Sequence, residues 1–195
     1  MATLTSPKHY WNYFLALMED LEKLSRYIEF SDANMKTYSI ELTHVFLSAS
    51  SEVDVVMKEL CSLINPSLTT NNINDYKNII KANVQDFVNE EIHINRYGLS
   101  FKPWDSWSGE SNPDWWKNHN NVKHQRNKHF SEANLENTIE AVGALLITVV
   151  YYYKYALSSQ LDDVKSIKET VLELNLESSF IKMDEKYYYS YLVAP

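Results

Sequence analysis

"SIELTHVFLSASSEVDVVMKELCSLI", Ser39 to Ile64, is the stretch whose reading decides the fold. Leu42, Val45, Phe46, Ala49, Val53, Val56, Leu60 and Ile64 recur at steps of three and four, the period of an α-helix that buries one face. Asn65-Pro66 ends it, because the proline ring disfavours helix at the residue before it. The reverse side carries Glu41, His44, Ser48 and Glu52, which read first as a solvated face and otherwise as a polar wall lining a cleft.

The same period continues on both sides. Ser6-Pro7 looks like a helix start, and Tyr10, Phe14, Leu17, Leu21, Leu24 and Ile28 follow at helical steps. "LTTNNIND" is a loop capping a third helix, in which Tyr76, Ile79, Ile80, Asn83, Val84 and Phe87 keep a period near 3.6. Alternation then replaces it: Ile92 and Ile94, the turn "NRYG", then Leu99 and Phe101, a small hairpin. Asn112 as cap and Pro113 in the first turn predict a fourth helix to about Lys128. Ser131 is the expected cap of a fifth, whose stripe is Leu135, Ile139, Val142, Leu146, Val149 and Tyr153. A short amphipathic segment near Val164 to Leu174 follows, and "SSFIKMDEKYYYSYLV" reads as two aromatic-rich strands around "DEK".

With 195 residues, no internal repeat and no linker-like tract, the expectation is one mainly α domain, an antiparallel helical bundle with a small β-hairpin appendage and C-terminal strands. The core falls at about 38–157, with a helix at 7–30 and residues 160–195 as extensions. A formal net charge of -8 excludes binding to nucleic acid through bulk charge, so any such contact must be local. The single Cys61 allows no internal disulfide and sits at an apolar helical position. "MATLTSPKHYW" lacks the basic start and apolar run of a signal peptide, and the uncharged run Ala141 to Tyr153 is shorter than the roughly 20 residues that cross a bilayer. A cytoplasmic protein without membrane contact is expected.

One stretch stands out electrostatically: "HNNVKHQRNKHF", His119 to Phe130. Between Asp114 and Glu132 there is no acidic residue, while Lys117, Lys123, Arg126, Lys128, His119, His124 and His129 all fall there. On an ideal helix at ~100° per residue, Arg126, His119, Lys123, Asn127, Asn120 and His124 occupy an arc of about 160°, with Trp115 and Val122 beside it facing inward. The histidines are five apart, whereas metal ligands on one helix need spacings of three or four, so neither a metal nor another cofactor is expected. With glycine only at 98, 109 and 143, no phosphate-binding glycine loop can be written. The cationic face suits phosphate chemistry on RNA. Asn120 and His124, one turn apart, can meet one phosphodiester, Lys123 or Arg126 can stabilise developing charge, and Trp104, Trp107 or Trp116 can stack bases.

The stretches "YSIELTHVFLSASSEVDVVMKELC", "YGLSFKPWDSW" and "PDWWKNHNNVKHQRNKHFSEANLENTIEAVGALL", from Tyr38 to about Tyr155, resemble uncharacterised bacterial members of the HEPN superfamily. These are all-α domains of defence, toxin–antitoxin and abortive-infection systems. The resemblance implies a homodimer acting on RNA or nucleotide, with an antitoxin or defence-system protein as further partner. It also implies a metal-independent endoribonuclease in which the family's Asn-x-x-x-His falls on Asn120 and His124, as catalytic residues with His119. The position before that asparagine, normally Arg, is His119. Histidine lacks arginine's permanent charge and bidentate fork, which leaves phosphate binding to Lys123, Arg126 or the more distant Arg96, with Trp116 as a stacking surface. The alternatives are a non-catalytic HEPN module that binds nucleotide, RNA or a protein through the same face, and a structural dimer.

Overall fold

The computed structural model describes residues 7–161, 165–175 and 179–188, with side chains left out at 159–161. Six α-helices carry the fold: α1 (His9–Leu24), α2 (Ile40–Ile64), α3 (Ile73–Asn83), α4 (Asp114–His129), α5 (Leu135–Leu161) and α6 (Ile167–Glu173). Three short strands, β1 (Ile92–Ile94), β2 (Leu99–Phe101) and β3 (Lys182–Met183), form an antiparallel sheet in the order β2-β1-β3. Ile92 pairs with Phe101 on one side and Met183 on the other. The "NRYG" turn closes the hairpin with Gly98 at φ 63°, a left-handed conformation that a residue with a Cβ adopts only under strain. Of the two expected C-terminal strands, the first is β3, Glu185–Tyr187 forms a 3-10 turn, and the second lies outside the described residues. Ser6 and Val164 lie outside them as well.

α2 runs as its periodicity requires. Ser39 caps it, its hydroxyl accepting from the Leu42 N–H at 3.1 Å, and Leu42, Val45, Phe46, Ala49, Val53, Val56 and Leu60 are all buried. Its principal partner is α5, which is buried on every side from Ala141 to Tyr151. The two helices are parallel. The Thr138 hydroxyl reaches the Leu42 carbonyl at 3.5 Å, Tyr38 forms a β-bridge with Asn134, and the far ends meet where Glu59 faces Tyr152. This corrects the uniformly antiparallel bundle: the intervening α3, sheet and α4 provide a crossover long enough to bring α5 back alongside α2 in the same direction. α4 runs antiparallel to α2, its end beside the start of α2, where Phe130 meets Tyr38 edge-on at 5.3 Å.

The start of α5 departs from expectation for a physical reason. Residues 130–132 form a 3-10 turn, so Ser131 does not cap; the Asn134 side chain accepts from the Asn137 N–H at 3.1 Å instead. The carbonyls of Thr37 and Met35 accept from the N–H groups of Leu135 and Glu136, so residues 35–37 complete the helix start. At mid-helix, Gly143 lets the sheet approach. A Cβ there would stand 2.8 Å from Ile92 Cγ1, closer than packed carbons come.

Cys61 is fully buried, and burial pushes its thiol up to about 12, so it packs as a small hydrophobe. Glu90, also buried, accepts from the hydroxyls of Tyr151 and Tyr187, each at 2.7 Å, and so ties the 3-10 turn after β3 to α5. Among the described residues one helix, α5, is long and apolar enough by composition to cross a membrane, but 78% of its apolar window is buried within the protein.

Candidate nucleic-acid interface

Trp115, His119 and Val122 form the buried stripe of α4. They stand four and three residues apart, the inward phase of the helix. His119 is therefore inside, 4% exposed, with its ring edge-on to Phe46 at 6.2 Å and tilted against Trp116 at 5.8 Å. Neither ring nitrogen has a hydrogen-bond partner among the described residues. Burial lowers its pKa to about 4, Lys123 and His124 push the same way, and Asp54 opposes them. The imidazole is neutral near pH 7, which corrects the expectation that His119 supplies positive charge on the outer face.

An unsatisfied buried imidazole weakens a helix seam, because each nitrogen has lost its water without gaining a partner. His119→Leu is therefore expected to raise stability by about 1 kcal/mol in urea unfolding at pH 7. A substantial loss of stability would mean that the imidazole is hydrogen-bonded after all.

Asn120 is half-buried and donates its amide to the Trp116 carbonyl at 3.1 Å, so that group is engaged within its own helix. Lys123, His124 and Arg126 are exposed, as are Lys117 and Lys128, and none of these five side chains makes an ion pair or hydrogen bond among the described residues. His129 is engaged differently: its Nδ1 lies 2.8 Å from Glu132, which also accepts from the Asn121 amide.

α4 is not straight. Gln125 sits at φ -141°, ψ 49°, outside helical geometry, and breaks the helical phase there. The arc drawn on an ideal helix thus fails beyond residue 124. Lys123 and His124 stay on the outer side, whereas Arg126 and Asn127 line a groove of about 560 Å³ with Phe130 and with Ile40, Thr43 and His44 of α2.

Several expected site residues are not gathered. Arg96 lies in the hairpin turn, 3.8 Å from Glu22 of α1 and over the Tyr97 ring, and lines a cleft with α1 residues and Arg26, none of them from α4. It does not replace the missing arginine. Trp104 and Trp107 are core residues 1% and 0% exposed, so they cannot stack bases; Trp116 is half-buried against Trp115. On α2, Glu41, His44 and Ser48 line a cleft of about 470 Å³ facing Asp20, Arg26 and Tyr27, while the side chains of Glu41 and His44 stay 71% and 62% exposed, so this face is solvated as well as cleft-lining.

A second concentration of charge escaped the sequence. Lys36, Asp105, Asp114, Glu136 and Glu140 converge on a cleft of about 630 Å³ between the start of α4 and α5. Lys36 pairs with Glu136, while burial first, then Glu136, Asp105 and Asp114, raise the Glu140 carboxyl to about 7. Among the described residues no three His, Cys, Asp or Glu side chains stand close enough to hold a metal ion. The five positions are scattered over a hundred residues of chain, so no local spacing marks them.

No family model, curated protein or solved structure matches this chain.

Proposed function

We propose that the protein is an RNA-directed, HEPN-like module whose working surface is the outer side of α4, and that it holds RNA rather than cutting it. One observation carries this reading: in a chain of net charge -8, Lys117, Lys123, Arg126 and Lys128 are all exposed and free of ion pairs on one helix. Elsewhere Lys8, Lys23, Lys36, Lys58, Lys81, Arg96, Lys102 and Lys186 are matched with carboxylates, while Arg26, Lys77, Lys154 and Lys182 make no ion pair among the described residues but lie at different places in the chain rather than together on one helix. Free cations with no local counter-charge are available to phosphates, whose released counterions drive association. The homodimer and the antitoxin or defence-system partner implied by the HEPN resemblance belong to this proposal, and α4 is the face a second copy would share.

Binding is favoured over cleavage by the state of the three residues aligned with the HEPN motif. His119 is buried and neutral, and the Asn120 amide is held by its own helix, which leaves His124 alone in an exposed, unpartnered state. An imidazole without an oriented partner has little power as a general acid or base. The test is incubation with single-stranded and structured RNA in chelator, alongside His124→Ala. Full recovery of intact RNA, with measurable binding by both proteins, is the expected result. Cleavage by the wild type that is lost in His124→Ala would establish the endoribonuclease reading in its place, and absence of binding would overturn both.

A further inference from the structure

The kink at Gln125 turns Arg126 and Asn127 away from the face bearing Lys123 and toward the start of α2. The groove they enter is lined by Ile40, Thr43 and His44 of α2 together with Phe130. No carboxylate is among its described lining residues, although the protein is strongly acidic; Glu41 lies 3.6 Å from the Nδ1 of the lining His44. Its apolar wall is Phe130 and Ile40. Phe130 is braced edge-on by Tyr38, and Ile40 is 63% exposed, an aliphatic side chain left in water at the mouth of the groove. Asn127 makes no hydrogen bond among the described residues and offers both donor and acceptor, while Thr43 is 1% exposed with its hydroxyl donated to the Ser39 carbonyl at 2.8 Å. Among the described residues Arg126 carries a free guanidinium, and the start of the long α2 helix, capped by Ser39 and with Glu41 in its first turn, lies at the same place.

An apolar wall, a free amide and an unpaired cation within one groove match the three surfaces of a nucleotide: base face, base edge and phosphate. The volume of about 560 Å³ lies within the roughly 300–1,000 Å³ of clefts that hold small ligands. The fully buried Trp104 and Trp107 cannot provide stacking, so any base platform must be built from other aromatics. We propose that this groove is a nucleobase subsite of the RNA surface. One base of a single strand lies against Phe130 and Ile40, its edge is met by Asn127, and the adjoining phosphate is met by Arg126. The proposal rests on the RNA-directed reading of α4 and extends the path of the strand from Lys123 onto α2.

The test is a fluorescence anisotropy titration at low salt with a labelled oligouridine decamer and with an abasic ribose-phosphate decamer of the same length. The wild type is expected to bind the base-bearing strand roughly tenfold more tightly, the scale of one aromatic–base stack. Phe130→Ala and Ile40→Ser should each erase that preference and leave abasic binding unchanged, and Ile40→Ser, at an exposed position, leaves the core untouched. Lys123→Ala should weaken both strands by the same factor. Equal wild-type affinity for the two strands, or a preference that survives both groove substitutions, would overturn the subsite while leaving the α4 reading intact. Failure of the wild type to bind either strand would overturn both.

Discussion

At pH 8, Glu140→Gln stabilises the protein by about 3 kcal/mol, whereas at pH 5 the gain falls to about 1 kcal/mol and it vanishes below about pH 4.5. The Glu140 carboxyl is raised from 4.5 to about 7 by burial and by Glu136, Asp105 and Asp114, with Lys36 as the opposing group in the cleft. Because the folded-state value lies above the unfolded one, its contribution is fully present below about 4.5 and is lost as pH rises through about 7. Glutamine fills the same space without ionising, so the repulsion among α5, α4 and the Asp105 turn disappears at high pH. For a chain of this length the gain corresponds to a rise in Tm of roughly 6–12 °C. Urea unfolding of both proteins at pH 5, 6, 7 and 8 checks it. Parallel stability curves across that window would mean that Glu140 titrates in the folded protein as it does in water.

Neutralising Lys117, Lys123, Arg126 and Lys128 together is expected to abolish RNA binding at moderate salt with no change in Tm. Four removed charges take the net charge from -8 to -12, and all four side chains are exposed and unpaired, so folding loses nothing that they contribute. If each meets one phosphate of a single strand, the wild-type affinity falls about 50-fold between 50 and 200 mM salt, from a slope of ~0.7 per contact. The quadruple variant should show no such dependence. Equal affinity in the two proteins, measured by anisotropy at 50 mM salt, would remove the basic helix from the binding surface.

The helices were legible because their apolar residues keep one phase over long runs, as in α2 and α5, and because alternation around "NRYG" marks a hairpin. The site was less legible, for local reasons. The helical phase places His119 between Trp115 and Val122 on the inward stripe, but its polar side chain reads as a surface group; packing prevailed over residue type, leaving both nitrogens unsatisfied. The kink at Gln125 has no proline or glycine to announce it, so projection beyond it misplaced Arg126 and Asn127. Trp104 and Trp107 precede α4 in a loop-like stretch, yet both belong to an aromatic cluster with Phe87 and Trp115 that seats the start of α4 on the core. The parallel course of α2 and α5, and the carboxylates gathered around Glu140, depend on chain returns that periodicity does not encode.

The most direct measurement is the slope of log Kobs against log salt concentration for a single-stranded RNA decamer, in the wild type and in Lys123→Ala. If the outer side of α4 grips phosphates, the substitution lowers the slope by about 0.7 and weakens binding at every salt concentration. An unchanged slope, or no binding by the wild type at 50 mM salt, would contradict a phosphate-binding role for this helix.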